Sequence, residues 1–184
     1  MKETYNMKNE KDFNENELKP FRGDYNKCGY YRIRNNSWQV VIPCQWEEAD
    51  VFHEGLARVR DDKGKFGFID INGRVKIPCE WRFAGYFNEG LASVQGDNGK
   101  FGFIDKCGDI VIPCKSLEPS CFFEGLTQIK DNNEKFGYID KTGKVVITCK
   151  WSLACRFLNG YAEVQDEDGN GFVIDKNGNV IKSV

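Results

Sequence analysis

The chain has 184 residues, in which 26 Lys and Arg stand against 28 Asp and Glu for a formal net charge of -2. That balance supplies no basic field to draw in a polyanion, so nucleic acid is not an expected partner. No apolar run reaches the roughly 18 residues of a membrane span, and the opening MKETYNMKNEKDFNENELKP lacks the apolar segment of a secretion signal. The expectation is a cytoplasmic protein away from the membrane.

Residues 1–19 are rich in Lys, Glu, Asn and Asp. They bury too little to offset the entropy of ordering and read as a disordered polar tail. Residues 20–184 read as a repeat array. KFGFID occurs at Lys65 to Asp70 and again at Lys100 to Asp105, and KFGYID follows at Lys135 to Asp140, each 35 residues on. The units fall near 30–64, 65–99, 100–134 and 135–169, with a partial unit at 170–184. From Pro20 the alignment needs no gap, and it sets Tyr31, Arg32 and Ile33 against Phe66, Gly67 and Phe68.

Each unit predicts three short strands. The first follows a Glu-Gly or Asn-Gly pair, as in Glu54-Gly-Leu-Ala-Arg-Val. The second carries the FGF or FGY core, whose alternation places Phe66 and Phe68 on one face. The glycine between them leaves room for something bulky opposite. An Asp-x-x-Gly turn comes next, at Asp70 to Gly73, Asp105 to Gly108, Asp140 to Gly143 and Asp175 to Gly178. Its Asp can accept bonds from the amides two residues on, and its Gly supplies a positive φ. The third strand, as in Ile110-Val-Ile-Pro-Cys, ends where Pro cannot donate to a ladder, so pairing is expected to stop there. A link of about ten residues leads to the next unit. The pattern predicts an all-β fold, with tandem ~35-residue three-stranded meanders stacked as an open array. A small closed β-propeller of about five blades is the alternative.

Cys44, Cys79, Cys114 and Cys149 share one phase and form no CxxC pair, so they read as small apolar residues in a reduced compartment. Cys28, Cys107, Cys121 and Cys155 fall at unrelated phases. Asp166, Asp168 and Asn170 open like a calcium loop, but Asn177 stands where a bidentate Glu belongs, so a plain turn is expected. The single His53 has Asn88, Phe123 and Leu158 as counterparts, and no triad can be drawn around it. No catalytic residue, cofactor or metal site is therefore expected.

These recurring positions resemble the WG-repeat (KWG-repeat) proteins of bacteria, whose unit is similar to G-K-W-G-[FY]-I-D-x-x-G-x-x-V-I-P. The resemblance runs from about Tyr30 to the C-terminus, with Phe66, Phe101 and Phe136 in the place of the family's Trp. It implies a β-rich scaffold without transferable catalytic residues.

Function is then expected to be binding. A protein-interaction scaffold would use positions that do not repeat in the links, namely Arg82, Phe83, Tyr86, Phe87, Leu117 and Phe122. Binding of glycan or cell wall through Trp38, Trp46, Trp81 and Trp151 is the alternative.

Overall fold

The computed structural model describes residues 17–183. Seventeen strands in this range form five antiparallel sheets that follow one another along the chain. Sheet 1 holds β1 (Lys19–Arg22), β2 (Cys28–Arg34) and β3 (Ser37–Trp46). Sheet 2 holds β4 (Glu48–Ala49), β5 (Leu56–Arg60), β6 (Phe66–Asp70) and β7 (Val75–Trp81). Sheet 3 holds β8 (Ala92–Gln95), β9 (Phe101–Ile104) and β10 (Ile110–Ser116). Sheet 4 holds β11 (Leu126–Lys130), β12 (Phe136–Asp140) and β13 (Val145–Trp151). Sheet 5 holds β14 (Leu153–Ala154), β15 (Tyr161–Gln165), β16 (Gly171–Asp175) and β17 (Val180–Ser183). The core clusters join sheets 1 and 2, 2 and 3, 3 and 4, and 4 and 5, and among the described residues none joins sheet 5 to sheet 1, so the meanders form the open array. In the same range no helix is long and apolar enough to cross a membrane.

The turns form as their chemistry requires. Asp70 Oδ1 accepts the amides of Asn72 and Arg74, both at 2.9 Å, and Asp105, Asp140 and Asp175 repeat the pattern. Asp166 does the same for Asp168 and Asn170, so its carboxylate is committed to its own hairpin. Turn glycines also join sheets: a Cβ on Gly108 would lie 3.3 Å from Ile77 of the preceding sheet.

Between the two rings of each FGF core the missing side chain has a definite occupant. A Cβ on Gly67 would lie 2.6 Å from the Ile77 carbonyl oxygen and 2.7 Å from the Cys79 nitrogen, because β7 folds across it. Pairing does not stop at the proline. Phe68 faces Ile77 and Phe66 faces Trp81, so four residues of β7 span two of β6 through a bulge that contains Pro78. The proline is accommodated where the ladder is already interrupted.

Sheet 1 overturns the gap-free alignment. Gly29 meets the Ile42 carbonyl oxygen and the Cys44 nitrogen, and Tyr30 faces Ile42. The counterpart of Phe66-Gly67-Phe68 is thus Cys28-Gly29-Tyr30, three residues earlier than Tyr31-Arg32-Ile33. The difference is absorbed in a longer hairpin, closed by Asn35 and Asn36 at φ 50° and 57°, in place of the Asp-x-x-Gly turn. The fold also takes in Leu18, buried at the junction of sheets 1 and 2, and Lys19, which opens β1. The remainder of the predicted tail, residues 1–16, lies outside the described residues.

Core clusters sit between sheets rather than within them. Leu56, Phe68 and Ile77 of sheet 2 meet Ala84, Phe87, Ala92, Val94 and Ile104 of the following unit, and the other junctions repeat the arrangement. A link aromatic is the wedge at every junction. Phe87 packs edge-on against Phe68 at 4.8 Å, Phe122 against Phe103 at 4.8 Å and Phe157 against Tyr138 at 4.9 Å.

Candidate functional site

The segments that join one sheet to the next, 47–55, 82–90, 117–125 and 152–160, run beside the first long strand of the sheet they enter. Glu47 donates its amide to Arg60 and Asp50 to Arg58, and Gly85 and Cys155 donate to Ser93 and Glu163 in the same way. These three links thereby lie along the edge of a sheet, and every link leaves some of its side chains on the surface.

Each link closes with a tight hairpin. His53 and Leu56 exchange backbone bonds across Glu54 and Gly55, whose φ values are 51° and 87°. Two successive positive φ angles suit Asn-Gly or Asp-Gly, and a long side chain at the first is strained. Glu54, Glu89 and Glu124 nevertheless hold it, because the carboxylate serves the next unit. Glu54 Oε2 accepts the Gly90 amide at 3.0 Å and lies 3.1 Å from Lys106 Nζ, and Lys106 Nζ also donates to the Glu54 carbonyl oxygen at 2.9 Å. Glu89 Oε2 likewise accepts the Gly125 amide and pairs with Lys141 Nζ, and Glu124 repeats the whole arrangement with Gly160 and Lys176. Burial opposes ionisation of Glu54 and Glu89, but the lysine and the amides outweigh it and hold both carboxyls below their ordinary value. At Glu124 the bond from Lys176 leads the same lowering. Asn159, the residue the turn itself favours, occupies the last such hairpin.

The exposed part of the links forms a connected strip of unlike residues. The His53 ring stacks on Tyr86 at 4.6 Å, so His53 is half-buried rather than free on a loop. Tyr86 and Asn88 flank the Cys121 thiol, whose pKa burial pushes up. Arg156 lies over the Phe123 ring at 4.6 Å. Val51 begins this strip and Leu158 ends it, both exposed.

Of the six residues expected to meet a partner, Arg82, Tyr86 and Leu117 are exposed and Phe83 is half-buried against Phe101. Phe87 and Phe122 are 1% and 0% exposed and are corrected to core wedges. The signal that identifies them is visible in the sequence: Phe52, Phe87, Phe122 and Phe157 recur every 35 residues. The tryptophans divide similarly. Trp46, Trp81 and Trp151 lie at junctions with their indole nitrogens shut off from solvent, and Trp38 is 59% exposed. Cys79 sits against the bulge with its thiol pushed up to about 11, first by burial and then by the charge of Asp61. Among the described residues no three His, Cys, Asp or Glu side chains are grouped to hold a metal.

Among solved structures the computationally designed Ika8 protein is similar over 91% of this chain and 60% of its own, at 10% identity and a TM-score of 0.50. BamB from Moraxella catarrhalis aligns at a TM-score of 0.49 and 10% identity, over 91% of this chain, and the chain spans 61% of the BamB structure. The WD40 beta propeller domain of Doa1 aligns at 0.42 and 10% identity, over 91% of this chain and 64% of that domain. The Ika8 likeness bears on the fold alone. No curated protein sequence matches the chain. The model of the WG containing repeat matches residues 38–65, 66–101, 101–134 and 136–170. These four tandem matches run through all four junctions between the sheets, and the chain belongs to the WG-repeat family.

Proposed function

We propose that the array is a non-catalytic protein-interaction module that presents the edge formed by its links. One observation carries this reading. The buried positions repeat from unit to unit, whereas Val51, Tyr86, Cys121 and Arg156 share one phase without sharing any chemistry, and so do His53, Asn88, Phe123 and Leu158. A repeat scaffold can vary such a surface without cost to its core. Arg82, Leu117 and the exposed rim of Phe83 extend it. The expected partner is a protein, and the setting the cytoplasm.

Affinity capture from the source cells tests the reading when wild type is compared with Tyr86→Glu and Leu158→Glu, and with Ile110→Glu on the far edge of sheet 3 as control. A protein that is retained by wild type and Ile110→Glu and lost by the other two supports it. Retention by Tyr86→Glu and Leu158→Glu together with loss on Ile110→Glu overturns it.

One observation favours glycan binding as a second reading. Trp38 stacks on Tyr31 at 3.6 Å with Phe21 edge-on at 6.2 Å, an exposed aromatic surface of the kind that suits a sugar ring. Soluble cell-wall fragments that leave the Trp38 indole resonance unmoved would remove it.

A further inference from the structure

At Ser116, which ends β10, and at Pro119 in the link 117–125, the chain departs from a residue that the other three units share, and both changes open the same place. Trp46, Trp81 and Trp151 close β3, β7 and β13, whereas Ser116 closes β10. Pro119 stands where Ala49, Ala84 and Ala154 stand, and those alanines pair with Val59, Val94 and Val164. Pro119 pairs with no strand, so sheet 4 lacks the short edge that sheets 2 and 5 carry. Two serine hydroxyls take over part of the bonding: Ser120 Oγ donates to the Gln128 carbonyl oxygen at 2.8 Å, and Ser116 Oγ accepts the Lys130 amide at 3.2 Å. Without the indole, cover is lost. Val59, Val94 and Val164 are fully buried, and their counterpart Ile129 is only half-buried.

The result is a cleft of about 620 Å³. Pro119, Ile129 and Phe136 give it apolar walls, Ser116 lies in it, and Lys130 and Arg156 bring positive charge. Lys130 is neutralised by Glu118 at 2.7 Å. The Arg156 guanidinium engages the Phe123 ring and, among the described residues, no carboxylate. At three other junctions the array shows what fills this position, which is an indole.

We infer that this cleft receives an aromatic side chain, tryptophan above all, carried by a partner protein beside a carboxylate that pairs with Arg156. The ring would occupy the place that the chain's own tryptophan fills at the other junctions, and the carboxylate would meet the guanidinium in a charge-assisted bond. This rests on the protein-interaction reading and gives it a position and a chemistry.

Amide NMR titration with N-acetyl-tryptophan and N-acetyl-tryptophanamide tests it. Single side-chain probes of this size bind in the millimolar range. Saturable shifts are expected at Ser116, Ser120, Ile129 and Lys130, several-fold weaker for the amide, which lacks the carboxylate. Arg156→Gln is expected to make the two probes equal, and Ser116→Trp to abolish both responses. Where tryptophan disturbs amides beyond the cleft, Ser116→Leu provides the same reading. Absence of saturable shifts, shifts centred on Trp38, or an undiminished response in the filled variant overturns the inference. Affinity capture by the Ser116→Trp array separates the two claims. A partner still held through Tyr86 and Leu158 leaves the module reading standing while the cleft fails.

Discussion

Sheets 4 and 5 carry the same hairpin with one exchange, and the exchange accounts for their different shapes. In sheet 4 the core is Phe136-Gly137-Tyr138, and β13 folds over the glycine, so that Phe136 faces Trp151 and Tyr138 faces Ile147. In sheet 5 the aromatic and glycine are inverted as Gly171-Phe172-Val173, and Phe172 faces Ser183 while Val173 faces Lys182 in straight register. A Cβ at Gly137 would sit 2.5 Å from the Ile147 carbonyl oxygen and 2.7 Å from the Cys149 nitrogen. The bulge across the strand's centre forms where the side chain is absent, and sheet 5 keeps only the smaller shift between Val173 and Ile174. The outward faces differ too. Leu126, Tyr138 and Ile147 are buried by sheet 5, whereas Tyr161, Val173 and Lys182 hold those positions on the free face of sheet 5, with Tyr161 49% exposed. That face is also the more polar of the two.

Exchanging residues between the two faces breaks the comparison most strongly. Ile147→Lys places an unpaired ammonium in a junction and is expected to cost more than about 4 kcal/mol in denaturant unfolding. The reciprocal Lys182→Ile is expected to change stability by less than about 0.5 kcal/mol. Equal effects would show that the two faces are equivalent. Gly137→Ala comes next, at about 3 kcal/mol, because backbone and not a flexible side chain stands in the way. Phe172→Ala, on the straight strand, should cost under about 2 kcal/mol, chiefly for its contact with Trp151.

The smallest effect separates Glu124 from Asn159. The folded carboxyl of Glu124 is held below its ordinary 4.5 by Lys176 and the Gly160 amide, so its contribution is present above that value and fades as pH falls through the folded one. Glu124→Gln is expected to flatten the acid limb of the urea midpoint against pH, and Asn159→Glu to leave it unchanged. A steeper limb from Asn159→Glu would contradict the role assigned to the lysine.

Local chemistry was readable from the sequence and cumulative geometry was not. The Asp-x-x-Gly turns and the three strands per unit could be predicted because each rests on a few neighbouring residues. The offset in sheet 1 was hidden because Cys28-Gly29-Tyr30 lacks the leading aromatic, and the Asn35-Asn36 turn changes strand length without leaving a visible gap. Pairing past Pro78 depends on a bulge that only the glycine on the neighbouring strand permits. At the candidate surface, Tyr86 and Leu117 were recognisable as variable, whereas Phe87 and Phe122 were masked by variation around them although their own phase is constant. The Glu54 carboxylate could not be assigned, because its partners Gly90 and Lys106 lie 36 and 52 residues away.

Trp46, Trp81 and Trp151 sit at the seams between sheets 1 and 2, 2 and 3, and 4 and 5, each with its indole nitrogen out of reach of water. Besides the exposed Trp38, the molecule thus carries three tryptophan emitters at its seams, one for each of these three, and the seam at Ser116 has none. Leaving single emitters in place by Trp→Phe exchange would show, from the order of their red shifts, whether the array comes apart from one end or melts as a whole.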